Sequence, residues 1–324
     1  MAESTKDTIG IVILNYNTFD DAVACVESVA KTTKADYLIY IVDNCSEDNS
    51  YSKLLDCFHE NRKIKVMRSD YNGGYSYGND IGIRQAITDG CNYILIANPD
   101  IVFYEDSIDK LLEALKSDDR IGVIGPSISS LDQEESQLLR KVYTPKVYFF
   151  SKKPFLYLSK VFKNLKTEYN YPESKDELYL FEGMVSGCCF LMASDLFNEL
   201  GLLDDHVFLY TEEWILAKKL RDLGKYCAYD PGAKVLHKEA TSTAKVGTGF
   251  QSFHLYLSAF YYLKYYSGCQ KSFLWFSYFQ NVIGYSVKSM KSKSYRSRLF
   301  KFIDAQNKLM RGTSKKIGFD RMME

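Results

Sequence analysis

The stretch Tyr93-Ile94-Leu95-Ile96-Ala97-Asn98-Pro99-Asp100 is an apolar strand that stops in a turn ending on a carboxylate. The proline biases Asn98 toward an extended conformation, and its own fixed φ stops the strand. Asp100 is therefore expected at the carboxyl end of a strand, where open α/β sheets bind ligands. One carboxylate there suits a divalent cation that keeps waters and takes other ligands from a phosphate. The alternative is an ordinary turn without a ligand.

Apolar segments alternate with amphipathic ones through the first half of the chain. Five segments have the length and composition of buried strands: Ile9–Leu14, Tyr37–Val42, Ile64–Met67, Tyr93–Ala97 and Ile121–Ile124. Helices are predicted between them, including Glu105–Lys116, whose apolar residues follow the spacing of one helical face. This alternation predicts an α/β fold with a mostly parallel sheet and helices on both faces.

The regular alternation fails between about residues 129 and 179, where acidic, basic and aromatic residues mix. Such an insertion often covers a site, and an extra helix on the sheet edge is an equal alternative. Beyond it we predict a strand at Gly187–Met192, a helix at Thr211–Leu223 and two short strands around Asp230-Pro231-Gly232. The predicted division is a catalytic domain at 1–249 and a helical region at 250–324.

The C-terminal region is basic and aromatic although the formal net charge of the 324 residues is zero. From Lys271 to Glu324 there are 12 basic and 3 acidic residues, so the rest of the chain is acidic. Such a tail is typical of proteins that meet an anionic surface. Ser272–Val287 is an uncharged run too short to span a bilayer, which favours a helix lying on a membrane or packed against the body. Residues 1–7 lack the apolar part of a signal peptide, so we expect a cytoplasmic protein.

Polar loops follow each of the first four predicted strands. Because parallel strands share one carboxyl edge, these loops should form one polar crevice. They are Asn15-Tyr16-Asn17, Asp43-Asn44-Cys45-Ser46, Asp70-Tyr71-Asn72-Gly73-Gly74 and Asn98-Pro99-Asp100. A glycine pair before a helix lets the backbone approach phosphate oxygens, although the spacing around Gly73 does not match a dinucleotide fingerprint. Asp43 could accept a hydrogen bond from a base or ribose, or could simply close a turn.

Two further candidates lie in the second half of the chain. Thr211 is a good N-cap, and Glu213 then shares a helical stripe with Leu216, so its carboxylate should face the protein. An inward carboxylate at a crevice mouth is a candidate general base, although acidic residues are favoured in any first helical turn. His237 ends a predicted strand near the expected cation and is either a core histidine or a ligand.

Taken together, these segments resemble the family 2 glycosyltransferases of the GT-A fold. The matching segments run in order over roughly residues 8–240: Ile11–Asn17, Val42–Ser46, Asn72–Asn79, Asn98–Asp100, Ser186–Leu191, Gly201–Tyr210 and Asp230–His237. Three features look like the rhamnosyltransferase branch of that family: the Asn98-Pro99-Asp100 form of the metal motif, Tyr261–Lys264 and Gly312–Gly318.

The resemblance implies roles for the matched residues. A nucleotide-sugar donor would meet Asn15, Asn17, Asp43, Asn44, Ser46, Asn72, Gly73, Gly74, Asn79 and Asn98. The acceptor side would include Gly187, Asp204, Asp205 and Trp214. Asp100 and His237 would hold Mg²⁺ or Mn²⁺ on the diphosphate. Glu213 would be the catalytic base, with Glu212 beside it.

One segment departs from the family pattern. The family usually has Glu-Asp followed by an apolar residue and Asp, whereas this chain has Glu212-Glu213-Trp214-Ile215. The longer glutamate side chain and the missing second acid leave the choice between Glu212 and Glu213 as base open.

The function implied is inverting, metal-dependent transfer of a sugar in the synthesis of capsule, cell-wall or other surface polysaccharide. The resemblance favours rhamnose from dTDP-rhamnose and a glycan or polyprenyl-linked acceptor at the inner face of the cell membrane, reached through the C-terminal region, with no nucleic acid as partner. The alternatives are a UDP-sugar donor (glucose, galactose, galactofuranose or GlcNAc) and an inactive transferase-like scaffold. A nucleotidyltransferase is disfavoured because no glycine- and lysine-rich loop follows the first strand.

Overall fold

A computed structural model describes residues 7–131, 139–141, 144–150, 176–238 and 248–313. Its strands are β1 Thr8–Asn15, β2 Asp36–Asp43, β3 Ile64–Arg68, β4 Tyr93–Ala97, β5 Ile101–Phe103, β6 Ile121–Ser130, β7 Arg140–Lys141, β8 Tyr179–Phe181, β9 Gly183–Met184, β10 Cys189–Ala193 and β11 Tyr226–His237. Its helices are α1 Phe19–Thr32, α2 Ser50–Phe58, α3 Gly74–Thr88, α4 Ser107–Ser117, α5 Pro145–Phe150, α6 Ser194–Leu200, α7 Glu212–Asp222, α8 Thr248–Tyr265, α9 Lys271–Lys291, α10 Lys293–Arg296 and α11 Leu299–Arg311.

The central sheet has the strand order β3-β2-β1-β4-β10-β6-β11-β5, and β8 pairs with β11. Strands β1, β2, β3, β4, β6 and β11 point the same way, while β5, β8 and β10 run against them. The prediction of a mostly parallel sheet is therefore confirmed. The antiparallel β10 joins the two parallel groups and brings its preceding loop beside the end of β4.

Both faces of the sheet are covered, as the sequence pattern predicted. Along β1, Ile9, Ile11 and Ile13 pack with α1, α2 and α4 on one face, and Val12 packs with α3 on the other. This is the period of two that a strand imposes on its side chains. The second face also receives the C-terminal helices, for the Trp214 ring meets Tyr262 of α8 edge-on with centroids 5.5 Å apart.

Several predicted boundaries were wrong, each for a local reason. The two short strands expected around Asp230-Pro231-Gly232 are one strand, β11, because a register shift leaves residues 231–233 unpaired with β6 and so accommodates the proline. Helix α3 begins at Gly74 rather than Ser76, and α4 begins at Ser107 after Asp106 adopts a left-handed φ of 57°. The short strand β5 was missed.

The predicted insertion at 129–179 lies largely outside the described residues, so its proposed cover over the site stays a prediction. The uncharged run Ser272–Val287 forms most of α9. Among the helices of the described ranges, none combines the length and apolar character needed to cross a membrane.

Two glycines of left-handed conformation offer a matched test of how the chain holds α3. Gly74 has a φ of 88°, and a Cβ there would lie 2.2 Å from the carbonyl oxygen of Phe208. Gly90 has a φ of 82°, and no atom lies within 4 Å of the position that a Cβ on Gly90 would occupy. Gly90→Ala should lower the free energy of unfolding by about 1–2 kcal/mol through backbone strain alone. Gly74→Ala should lower it further, because the Phe208 backbone must also move.

Urea denaturation of both variants measures the difference. Equal losses of stability in the two variants would contradict a tight contact between Gly74 and Phe208, since they would mean that the Phe208 backbone moves aside at no cost in free energy.

Candidate active site

The loop after β2 is organised around the carboxylate of Asp43, which is fully buried. Its Oδ2 accepts a hydrogen bond from Asn15 Nδ2 at 2.9 Å, and its Oδ1 accepts one from the Ser46 backbone N–H at 2.9 Å. Arg68 Nε lies 3.7 Å from the same Oδ1. Asp43 therefore fixes the loop that would face a nucleotide, and the predicted contact of Asp43 with a base stays a prediction.

Asn15, Asn17 and Ser46 join the first two loops. Ser46 Oγ accepts hydrogen bonds from Asn17 N–H at 2.9 Å and from Asn15 Nδ2 at 3.3 Å. Asn17 adopts a φ of 56°, and its Oδ1 accepts the backbone N–H of Glu47 at 3.0 Å. Asparagine tolerates this left-handed conformation better than most residues, which explains its presence at the end of β1.

The third loop is tied to the second through Asn44 and Asn72. Asn44 Nδ2 donates to Asn72 Oδ1 at 2.9 Å and to the carbonyl of Gly74 at 3.1 Å, and Asn72 Oδ1 also accepts the Gly74 N–H. Gly73 occupies the N-cap position of α3. Hydrogen bonds thus join the first three predicted loops beside the N-terminus of α3. The fourth loop follows β4, which runs parallel to β1 and so ends at the same edge of the sheet.

Asn79 lies on α3 and is fully buried. Its Nδ2 donates to the carbonyl of Tyr75 at 3.0 Å, but its Oδ1 has no hydrogen-bond partner among the described residues. A buried acceptor without a donor costs free energy, so its retention is typical of a site that a ligand or water completes.

Asp100 and His237 meet as the sequence predicted. His237 pairs with Ile101 across β11 and β5, and this register sets His237 Nε2 3.2 Å from Asp100 Oδ2. Both side chains retain some solvent contact, 13% for Asp100 and 22% for His237. An imidazole and a carboxylate together are a suitable donor set for a divalent cation that completes its shell with phosphate and water.

Glu213 faces inward, as its helical spacing indicated. Its Oε1 accepts the backbone N–H of Gly187 at 3.2 Å, while Tyr75 donates its hydroxyl hydrogen to the Gly187 carbonyl. The Glu213 side chain lines a small cavity whose other residues are apolar: Val123, Met184, Val185, Phe190, Leu216, Ala217 and Cys227. Burial in these surroundings raises the pKa of Glu213.

The neighbouring Glu212 is almost fully buried. Burial raises its pKa well above the usual range, and the charge of Glu213 raises that pKa further. The two neighbouring carboxyls therefore ionise as a coupled pair rather than independently. The expected side-chain cap by Thr211 was wrong, because Thr211 has a φ of 75° and makes no such hydrogen bond.

Cys188 lies near both acidic positions. Burial raises the pKa of its thiol to about 12, and the negative charges of Asp100 and Glu213 both act in the same direction. The Cys188 carbonyl also accepts the Asn98 N–H at 2.8 Å, next to the metal motif. The metal motif and Glu213 therefore both contact one short segment, Ser186–Cys188.

The predicted acceptor-side acids form a separate group. Asp204 accepts hydrogen bonds from His206, from Tyr261 at 3.1 Å and from Tyr266 at 2.5 Å, which tie its loop to α8. Ligand atoms of Asp204, Asp205 and His206 lie within 4.8 Å of one another, so this group could also hold a cation. Trp214 is buried against α8, where its ring contributes to the core.

Four residues of the site were not predicted from the sequence: Arg68, Tyr75, Cys188 and Phe208. Each acts on the predicted residues through its backbone or over a long sequence separation. The Phe208 carbonyl, for example, accepts the Tyr75 N–H at 2.9 Å and fixes the start of α3. The position of Tyr75 directly after two glycines was the one signal that could have identified it.

Known proteins resemble this chain in sequence. The model of the family described as "Glycosyl transferase family 2" matches residues 10–201. An N-acetylglucosaminyl-diphospho-decaprenol L-rhamnosyltransferase of Mycobacterium tuberculosis is 23% identical over 258 residues, which cover 74% of this chain and 78% of the relative. Glycosyltransferase GlyG of Streptococcus pneumoniae is 31% identical over 121 residues, covering 37% of this chain and 39% of GlyG.

A solved structure shares the fold. The crystal structure of GalNAc-T7 with UDP, GalNAc and Mn2+ superimposes with a TM-score of 0.59 at 17% sequence identity. The match covers 81% of this chain, which spans 48% of that structure.

Proposed function

The chain belongs to glycosyl transferase family 2 and has the GT-A fold, and from this premise we propose that it transfers rhamnose from dTDP-rhamnose to a polyprenyl-linked glycan. It is an inverting glycosyltransferase, as members of this family are. The name of the Mycobacterium tuberculosis relative, which matches most of this chain, supports the choice of sugar and of a lipid-linked acceptor.

The observation that supports the proposal is that both acidic positions lie near the segment Ser186–Cys188: the Gly187 N–H donates to Glu213, and the Cys188 carbonyl accepts from Asn98, two residues before Asp100. Inverting transfer is a single displacement, so the base and the leaving group must lie on opposite sides of the anomeric carbon. A base at Glu213 and a diphosphate near Asp100 would satisfy that requirement.

Glu213 would take the proton from an acceptor hydroxyl. At the same time, the hydroxyl oxygen would attack the anomeric carbon, and the bond from that carbon to the diphosphate oxygen would break. The Gly187 N–H holds the carboxylate in position, and Tyr75 holds Gly187. A raised pKa makes Glu213 a stronger base than an exposed glutamate, which favours proton removal near neutral pH.

The donor would lie along the edge formed by the first four loops. The N-terminus of α3 and the backbone at Gly73 and Gly74 would face the phosphates, because a helix N-terminus favours negative charge. Asp100 and His237 would hold Mg²⁺ or Mn²⁺ there, which would offset the charge of the departing diphosphate. Asn79 Oδ1, buried without a partner in the described ranges, is available to a donor group of the nucleotide.

Substitution of the two glutamates should separate their roles. Glu213→Gln should lower kcat by about 10²–10⁴-fold with little change in donor affinity, because it removes the base but keeps the shape. Glu212→Gln should cost far less, because a neutral amide resembles the protonated carboxyl that burial favours there. In the wild type and in Glu212→Gln, the acid limb of kcat/KM should lie above pH 4.5, the ordinary value for glutamate, since Glu213 must lose its proton to act.

Steady-state kinetics between pH 4 and pH 9 with dTDP-rhamnose and a soluble acceptor analogue measure these effects. Full turnover by Glu213→Gln would exclude it as the base, and a larger loss in Glu212→Gln would move that role to its neighbour. Wild-type protein that neither transfers nor slowly hydrolyses any donor would favour the inactive scaffold.

Nucleotide and metal binding can be tested without an acceptor. A ligand that binds only the folded state raises the melting temperature. Wild-type protein should melt higher with dTDP and Mn²⁺ than with either alone, and higher than with UDP or GDP. Asp100→Ala should lose the part of the increase that depends on metal. Asp109→Ala, on α4 away from the crevice, is the matched control and should keep the ligand-induced increase, whatever its own melting temperature.

A larger shift with UDP than with dTDP would overturn the rhamnose assignment and favour a UDP-sugar donor. An undiminished metal-dependent shift in Asp100→Ala would refute its assignment as a ligand.

A further inference from the structure

Helix α9 is apolar on its outward face and largely polar on its inward face. Six large apolar side chains on it are between 44% and 68% exposed: Trp275, Phe276, Phe279, Ile283, Val287 and Met290. Their spacing of three and four residues aligns them in one stripe about 22 Å long. Contiguous apolar surface of this kind marks an interaction site far more often than scattered exposed residues do.

The contacts of the inward face of α9 prevent the helix from rotating its apolar stripe into the core. Ser277, Gln280, Asn281 and Ser289 are buried there. Asn281 Oδ1 accepts a hydrogen bond from Tyr148 at 2.9 Å, and Tyr285 donates to the carbonyl of Gly249 at 3.1 Å. Tyr285 also stacks on Phe302 of α11 with centroids 4.1 Å apart. These contacts fix the rotation of the helix and leave its apolar face outside.

Basic residues surround the stripe. Lys271 precedes Trp275 by four residues and Lys291 follows Val287 by four, so each lies beside the stripe near one end. Between residues 271 and 311 the chain has nine basic residues and one acidic residue. Exposed Lys293 and Lys301 extend the positive surface beyond α9.

We propose that the outward face of α9 is a membrane-docking surface, which inserts its apolar side chains at the lipid interface and sets its lysines against anionic headgroups. The positive charge around the stripe favours anionic lipid over a second copy of the chain. Pairing two copies of this face would bring like charges together, whereas anionic lipid neutralises them. Exposed Trp and Phe on one face with Lys beside them are typical of helices that lie in the interface.

The outward face of α9 is thus the surface through which the protein would meet the membrane. Only the identity of the acceptor, a lipid-linked glycan, rests on the proposed function. Helix α9 packs on α8, and α8 contacts the helix of Glu213 through Tyr262 and Trp214. Docking through α9 would therefore hold the candidate base at a fixed position relative to a lipid-linked acceptor.

Vesicle co-sedimentation tests the surface directly. The full chain should bind vesicles of phosphatidylcholine and phosphatidylglycerol in a 7:3 ratio. The double variant Phe279→Ser, Ile283→Ser should bind at least about tenfold more weakly. The control Leu55→Ser, Leu223→Ser removes two exposed leucines elsewhere and should bind as the wild type does. Circular dichroism and donor hydrolysis, measured without lipid, show whether each variant is folded and active, so a failure of docking is distinguishable from a failure of sugar transfer.

Trp275 provides an independent readout, because the only other tryptophan, Trp214, is buried. On vesicles, Trp275 emission should shift to shorter wavelength and be quenched by brominated lipid, and Trp275→Phe should remove both signals. Binding that 0.5 M NaCl abolishes, without any emission change, would overturn insertion. Dimerisation of the wild type that the serine double variant abolishes would also overturn the proposal, since the face would then be covered by a second copy.

Discussion

The segment Ser186–Cys188 ties the two halves of the candidate site together, and its position depends on β10 running antiparallel between β4 and β6. The pairing of β10 with β4 sets the Cys188 carbonyl against the Asn98 N–H, and the next residue back, Gly187, holds Glu213. A parallel strand in that position would carry the same residues to the opposite edge of the sheet. The backbone pairing of one strand therefore brings the Asn98-Pro99-Asp100 motif and Glu213, separated by more than 100 residues, to the same short segment.

Burial then determines how the acidic groups differ. Asp100 and His237 keep contact with solvent, whereas Glu212 and Glu213 lie in surroundings that oppose a second negative charge. Burial raises the pKa of both carboxyls, and the charge of Glu213 raises that of Glu212 further, so the two neighbours do not ionise independently. The altered Glu212-Glu213-Trp214-Ile215 segment is compatible with an active enzyme, because the Trp214 ring packs in the core rather than in the crevice.

Much of the fold was predictable from residue patterns, because each apolar strand and amphipathic helix carries its own local signal. The period of two in β1, the 3.6-residue stripe of α4 and the turn that ends β4 before Asp100 are examples. The direction of β10 and the continuity of β11 through Pro231 were not predictable, because they depend on pairing with distant strands. Likewise, Tyr75 and Cys188 act through contacts across more than 80 residues, and the outward apolar face of α9 is visible only once its polar inward face is seen packed.

The proposed mechanism requires the metal motif and Glu213 to face one pocket from either side of Ser186–Cys188. The most direct measurement is a crystal structure with dTDP and Mn²⁺, with the ion located by its anomalous scattering. We expect an anomalous peak bonded to Asp100 and to the diphosphate, with the Glu213 carboxylate facing the same cavity from the other side of Ser186–Cys188. A peak at Asp204, Asp205 and His206 alone, or a diphosphate bound away from Glu213, would contradict it.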